Sequence, residues 1–417
     1  MTFDLNCNAS ENVCNGVRTT LKAATEIISS VFQFESSLIV NATYSSFRLS
    51  SNTRHPENAM AAIGQSFPTI SYIMTDKSDN MTRMYPQALL KQFTNLPVKP
   101  NWAHYDINAQ FNSDVNWYFI NDPHSIEDDQ IDFLRNVIHE LIHGLGFMSS
   151  WSDNLYKSFA PLVDDLNHFI TPMLLSAINQ NPVFSNYASP FPFWGFLEFP
   201  FDKLIHTGDM QPLSAITTQL NKFYNSNIVF QSALDLGNAW YSSDAYRAAA
   251  DLYQKTVTAK DLMIAIDHQQ VLWLESSLKP FNSGSSLSHV DSSYYINTTE
   301  YLMVYMANRG VSLSQLAKTF PSSPLGPKLL QAMAALGYRI KGHQMTQPRL
   351  EYWNPPNGLA GSSSNPSPSL VKVTGGPAHS PSTSTVSTTT ASSSYKFSPS
   401  LVSYIITISF LTLLSVL

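Results

Sequence analysis

The stretch Val137-Ile138-His139-Glu140-Leu141-Ile142-His143-Gly144-Leu145-Gly146-Phe147 constrains this chain more than any other. Histidines four apart on a helix lie about one turn from each other, so both imidazoles leave one face and can close on a single metal ion. Glu140 stands beside them, placed to take a proton from water that such a metal activates. The pattern around the motif predicts the helix this geometry needs, starting near Ser125 with Asp128 three residues on as a capping box. Glu127 and Asp129 favour its N-terminal dipole end. Ile131, Leu134, Ile138, Leu141, Ile142 and Leu145 make an apolar stripe, and Asp132, Asn136, His139 and His143 make a polar one roughly opposite. The histidines then face away from the core, into a cleft. Gly144 and Gly146 end the helix, because glycine takes the left-handed turn that redirects the chain.

A catalytic zinc ion takes three protein ligands and keeps a fourth position for water, so one ligand must come from elsewhere. Ser283-Gly284-Ser285-Ser286-Leu287-Ser288-His289-Val290-Asp291 reads as a Gly/Ser turn delivering a histidine, and the compact apolar piece Leu302-Met303-Val304-Tyr305-Met306 follows it. His206, with Met210 nearby, is an alternative. So are Asp164, Asp165 and His168, which suit a ligand carried on a helix about twenty residues past the motif. His289 is preferred because only it combines a turn presenting a ligand with an apolar methionine segment shortly after.

Taken together, His139-Glu140-x-x-His143-x-x-Gly146-Phe147, the His289 turn and Leu302-Met303 make the chain resemble metzincin-type zinc metalloproteases. The layout is that of the leishmanolysin-like group, in which a long insertion separates the glycine turn from the third histidine. The compact metzincin motif would put that histidine at position 149, which is Ser149 here, and two cysteines are few for the cysteine-rich leishmanolysin-like proteins. The resemblance is therefore to the broader class, over about residues 15 to 340. It implies an α+β zincin catalytic domain, a mixed twisted sheet plus an active-site helix, and a zinc endopeptidase acting on proteins or peptides. His139, His143 and His289 would hold Zn2+, Glu140 would be the general base, Met303 would form the turn beneath the metal, and Tyr305 would stand near the oxyanion. In such proteases a strand ahead of the zinc helix often pairs with extended substrate. Tyr105 to Phe111, which alternates apolar and polar residues, is the candidate for that strand. A second reading, a catalytically idle cell-surface binding or adhesion protein on the same fold, has no need of the base at Glu140.

Elsewhere the patterns are ordinary. Val17 to Phe32 has helical spacing and Ser37 to Phe47 reads as a strand, with a short helix in Met84 to Phe93. The mainly helical insertion, about 149–279, has helical patterns at Leu162 to Ile178, Leu213 to Tyr224, Ala245 to Val257 and Leu262 to Ile266, and an aromatic loop at Phe191 to Phe196. A closing helix runs through Leu330 to Leu336. The catalytic domain thus extends over 1–350. Beyond it, 351–400 is a Ser/Thr/Pro-rich stretch with the composition of an O-glycosylated stalk, and 401–417 is apolar.

Charged residues make up 13% and the net charge is -6, which gives no electrostatic reason to expect a nucleic-acid partner. Cys7 and Cys14 fit a short-range disulfide in a secreted protein, with a cysteine as a further zinc ligand the minor alternative. Sequons at Asn8, Asn41, Asn80 and Asn297 permit secretion. The small residues Ala391 to Ser394, a polar spacer and the apolar tail have the order of a GPI-anchor signal, which predicts extracellular, cell-surface display although no signal peptide is visible. A spanning tail anchor is the alternative.

Overall fold

Val17, Leu21, Ala24 and Ile28 recur at helical spacing and are fully buried, and Ser10 caps the helix by accepting the Val13 N–H. That helix, α1 (Glu11–Val31), starts earlier than the apolar pattern alone indicates. The computed structural model describes residues 1–50, 62–176, 191–223, 229–266, 270–320, 324–343, 345, 347–353, 372–375 and 405–408, so most of the expected stalk and apolar tail lies outside the described residues. Among the strands that precede the histidine motif are β1 (Thr2–Cys7), β2 (Ile39–Ser45), β3 (Gly64–Pro68), β4 (Ile70–Asp76), β5 (Met81–Pro86) and β6 (Ile107–Asn112).

The α1 crossover lets β1 and β2 pair in parallel, and β2 pairs in parallel with β6. β3 runs antiparallel to β6, giving the sheet order β1-β2-β6-β3. The expected substrate strand, Tyr105 to Phe111, is therefore interior: both edges of β6 are taken, by β2 and by β3. β3 holds the end position of that sheet. β4 and β5 form a separate hairpin, to which Leu350–Tyr352 adds a strand.

The motif helix, α2 (Phe133–Gly144), packs on α1 and across the first sheet. Phe133 opens it as a hub, with ring centroids 4.9 Å from Trp117, 5.1 Å from Phe111, 5.2 Å from Phe119 and 5.9 Å from Tyr44. The start near Ser125 is thus corrected. Ile131 and Asp132 pair in extended form with Trp117 and Tyr118, so the helix cannot begin before them, and the Asp132 carboxylate is the actual cap, accepting the Arg135 N–H at 2.9 Å. Its other oxygen accepts the Leu313 N–H, tying a distant segment to the helix start. The polar stripe does not face open water. Asp132, Asn136 and His143 are all buried and His139 is partly so. At the far end, Gly144 is still helical and Gly146 makes the turn, at φ 111°.

The insertion is mixed rather than mainly helical. Leu213–Leu220, Ala233–Tyr241 and Asp244–Thr256 are helices. The expected helix at Leu162 to Ile178 is absent over its described part: Asp165 takes φ 58°, and Met173–Ser176 is a strand. That strand pairs with Phe191–Leu197, which was expected as a loop. Leu262–Ala265 is also a strand, between Ile205–Thr207 and Val271–Trp273. A short apolar run suits either state, and here the neighbouring strands decide it. The expected helix in Met84 to Phe93 is confined to Gln87–Leu90, because Met84 belongs to β5. Cys7 and Cys14 form a disulfide that ties the end of β1 to the first turn of α1.

Candidate metal centre

Helical spacing puts His139 and His143 on one face of α2, and the loop at 283–291 brings His289 to them across 146 residues of chain. The three Nε2 atoms stand 3.1 Å (His139–His143), 3.2 Å (His143–His289) and 3.2 Å (His139–His289) apart. Three nitrogens bound at about 2.0–2.1 Å to one tetrahedral ion would lie about 3.3 Å apart, close to this triangle. Among the described residues no other group of three or more His, Cys, Asp or Glu side chains comes together in this way.

The opposite ring nitrogens set the protonation. His139 Nδ1 lies 2.7 Å from the Leu302 carbonyl, His143 Nδ1 lies 2.7 Å from the Phe147 carbonyl, and His289 Nδ1 lies 3.0 Å from the Ser285 carbonyl. A carbonyl only accepts, so each Nδ1 carries the proton and each Nε2 presents a lone pair. Three lone pairs therefore converge on one point, an arrangement that could hold a cation. Burial pushes all three histidines below their ordinary range, His143 to about 4, and for His139 and His289 the neighbouring imidazoles add to the effect. They stay neutral at physiological pH, the form a metal takes.

Glu140 is buried beside them. Burial raises its carboxyl to about 8, opposed by a hydrogen bond from the Asn136 side chain one turn earlier. The outer strand β3 closes on the same pair: a Cβ at Gly64 would stand 2.8 Å from Asn136 Oδ1 and 3.0 Å from Glu140 Oε1. Glycine is the residue that lets the strand approach the acid. Arg135 donates to the Tyr301 carbonyl at 3.2 Å, and His139 is bonded to the next carbonyl along, so the one-turn segment Tyr301–Met303 is held against α2 at two points. Met303, in that turn, is buried. Tyr305 is partly exposed, with its ring 6.5 Å from that of His289, and burial raises its hydroxyl pKa.

The other candidate ligands stay apart from the cluster. His206 sits on the strand Ile205–Thr207 with Nδ1 3.1 Å from the Leu204 carbonyl. Asp164 and Asp165 are exposed, and His168 is held between the rings of Tyr156 and Tyr253. Both cysteines are spent in the disulfide. Sequence reasoning did not single out Gly64, Arg135 or Asp202, the buried carboxylate that accepts from Ser149 and Ser150 just past the motif helix. Asn136 and Arg135 carried a usable signal, lying one helical turn before Glu140 and His139. Gly64 and Asp202 carried none, because their role comes from tertiary approach alone.

A family model described as SPBPB7E8-like matches residues 1–373. An uncharacterized protein of Schizosaccharomyces pombe is 28% identical over 282 residues, 63% of this chain and 48% of its own length. The match thus spans about half the length of that curated relative. No solved structure matches the chain.

Proposed function

We propose that this chain, which belongs to the SPBPB7E8-like family, is a zinc-dependent endopeptidase with a metzincin-like centre. The observation that carries the proposal is the convergence of three Nε2 lone pairs beside a buried glutamate. His139, His143 and His289 would hold Zn2+, which would supply polarisation of the scissile carbonyl and a water acidic enough to be deprotonated near neutral pH. Burial alone would leave the Glu140 carboxyl protonated near neutral pH, and a cation's charge beside it would favour the ionised form. So ionised, Glu140 takes a proton from the attacking water as the carbon–oxygen bond forms, and delivers it to the leaving amine as the peptide carbon–nitrogen bond breaks. Asn136 keeps the Glu140 carboxylate oriented, and Gly64 leaves room for it. Tyr305, next to His289, is the candidate donor to the oxyanion that develops on the carbonyl. The outer strand β3 is the edge on which an extended peptide would pair, in place of β6.

Cell-surface display through a GPI anchor is part of the same proposal, supported by the Ser/Thr/Pro-rich stretch and the apolar segment 401–417. Release from membranes by a glycolipid-cleaving phospholipase tests it, and retention in the membrane contradicts it. The enzymatic reading is tested by incubating the purified chain with an unfolded protein substrate, with and without a chelator. Cleavage that stops with the chelator and returns with zinc is expected. A chain that binds zinc and cleaves nothing favours the adhesion reading instead.

A further inference from the structure

Ser149, the residue at the place where a compact motif would carry its third histidine, is engaged on both sides. Its N–H donates to Ser288 Oγ at 3.1 Å, and Ser288 immediately precedes His289. Its hydroxyl donates to Asp202 Oδ1 at 2.6 Å. Asp202 Oδ2 accepts from the Ser150 hydroxyl at 2.6 Å, the Ser150 N–H at 3.0 Å and the Phe199 N–H at 2.9 Å. Four residues on, the Asp153 N–H donates to Ser283 Oγ at 3.2 Å, and that hydroxyl donates back to Asp153 Oδ1 at 2.7 Å. The chain leaving α2 therefore grips the histidine loop at its first residue and again just before the ligand. Ser149, Ser150, Asp153, Asp202, Ser288 and His289 are all buried, so water does not substitute for these bonds.

The loop needs such a grip. Leu287, two residues before His289, is fully buried at φ 64°, a left-handed backbone that a leucine keeps only where its surroundings enforce it. The Leu287 N–H donates to the Glu275 carbonyl, and the His289 carbonyl accepts the Glu275 N–H, which fixes the opposite side of the same loop.

We propose that Asp202 and Ser149, through Ser288, are positioning residues for His289, so that the long insertion sets the metal affinity of the centre instead of merely interrupting it. This rests on the metal-site reading given above. The insertion supplies the buried carboxylate, the residue at the expected ligand place transmits its hold, and the true ligand sits at the end of the relay.

The test compares the full chain with its Ser288→Ala, Ser288→Thr, Asp202→Asn and His289→Ala variants. Zinc affinity is measured by competition with a chromophoric chelator, the visible spectrum is recorded with Co2+ in place of zinc, and melting is followed on metal-free protein. Ser288→Ala is expected to weaken zinc binding roughly 10- to 100-fold and to alter the Co2+ spectrum, as loss of a ligand-orienting partner does, in metal-free protein that still melts cooperatively, at a somewhat lower temperature. Ser288→Thr, which keeps the hydroxyl, restores both, and Asp202→Asn weakens zinc binding in the same way. Wild-type zinc affinity and Co2+ spectrum in Ser288→Ala, with weak binding in His289→Ala, overturn the clamp and leave the metal site standing. Wild-type affinity in His289→Ala overturns the metal reading and the clamp with it. Should Asp202→Asn fail to fold, Ser288→Ala decides alone.

Discussion

Helix α2 and the loop at 283–291 each bring histidine to one point, by opposite means. On the helix, backbone periodicity alone sets His139 above His143, and the apolar residues between them do no more than seat the helix. In the loop no repeating backbone geometry sets His289, and its one local bond, from Nδ1 to the Ser285 carbonyl, orients only the ring. Its place comes from the Ser149–Ser288 and Asp153–Ser283 bonds and from a left-handed leucine held by its surroundings. A ligand on a regular element is robust to changes far from it, whereas a ligand on an irregular loop inherits the fate of every partner that holds the loop. Changes at Glu140 and the residues that seat it should therefore strike the chemistry, and changes around the loop should strike the metal.

The largest effect is expected at Glu140. Glu140→Ala should lower proteolysis by roughly 10²- to 10⁴-fold while bound zinc is retained, measured as cleavage rate and metal content on one preparation. Unchanged cleavage would remove the general base from the helix side of the comparison. Next comes Gly64→Ala, which pushes a Cβ against Asn136 and Glu140. It should cut kcat by on the order of 10- to 100-fold, through misplacement of the acid, with zinc affinity unchanged. Equal losses in zinc affinity and kcat would show that the strand acts on the ligands and not on Glu140.

A pH series sharpens the contrast from the side of stability. The folded-state pKa of His143 is lowered to about 4, and those of His139 and His289 lie well below the ordinary 6.5. Between these values the unfolded chain binds protons that the folded chain refuses, so the histidines' contribution to metal-free stability is full above about pH 6.5 and is lost as the pH falls toward 4, while Glu140 and Asp202, raised to about 8 and about 7, contribute in the opposite sense and gain as the pH falls. Relative to the wild type, metal-free His143→Ala should therefore gain in urea midpoint as the pH is lowered from 7.5 to 5. A difference between the two midpoints that stays constant over that window contradicts a buried, neutral His143. The smallest effect on the site is expected from the disulfide, which closes a short loop far from it in sequence. Replacing both cysteines with alanine should cost about 2–3 kcal/mol of stability in denaturant unfolding and leave zinc affinity unchanged.

The same contrast explains what could be read from the residues in advance. The spacing of His139, Glu140 and His143 is written in consecutive positions, and so is the buried stripe of α1. The start of α2 was misplaced by eight residues because Ser125 to Asp128 looks like a cap, while Asp132 does the capping and Ile131 is drawn into a strand with Trp117. Leu262 to Ile266 and Phe191 to Phe196 are short apolar runs whose state depends on which strands lie beside them, information absent from the runs themselves. Gly64 and Asp202 are single residues in unremarkable surroundings, and their positions against Glu140 and Ser149 exist only after the chain has folded.

Metal content is the most direct measurement. Zinc per chain should be determined by elemental analysis on the wild-type protein and on His139→Ala, His143→Ala, His289→Ala and His206→Ala, each purified and dialysed identically. One zinc per chain is expected in the wild type and in His206→Ala, with loss in the other three. A wild-type protein without zinc, or a His289→Ala protein that keeps its zinc while His206→Ala loses it, would contradict the centre described here.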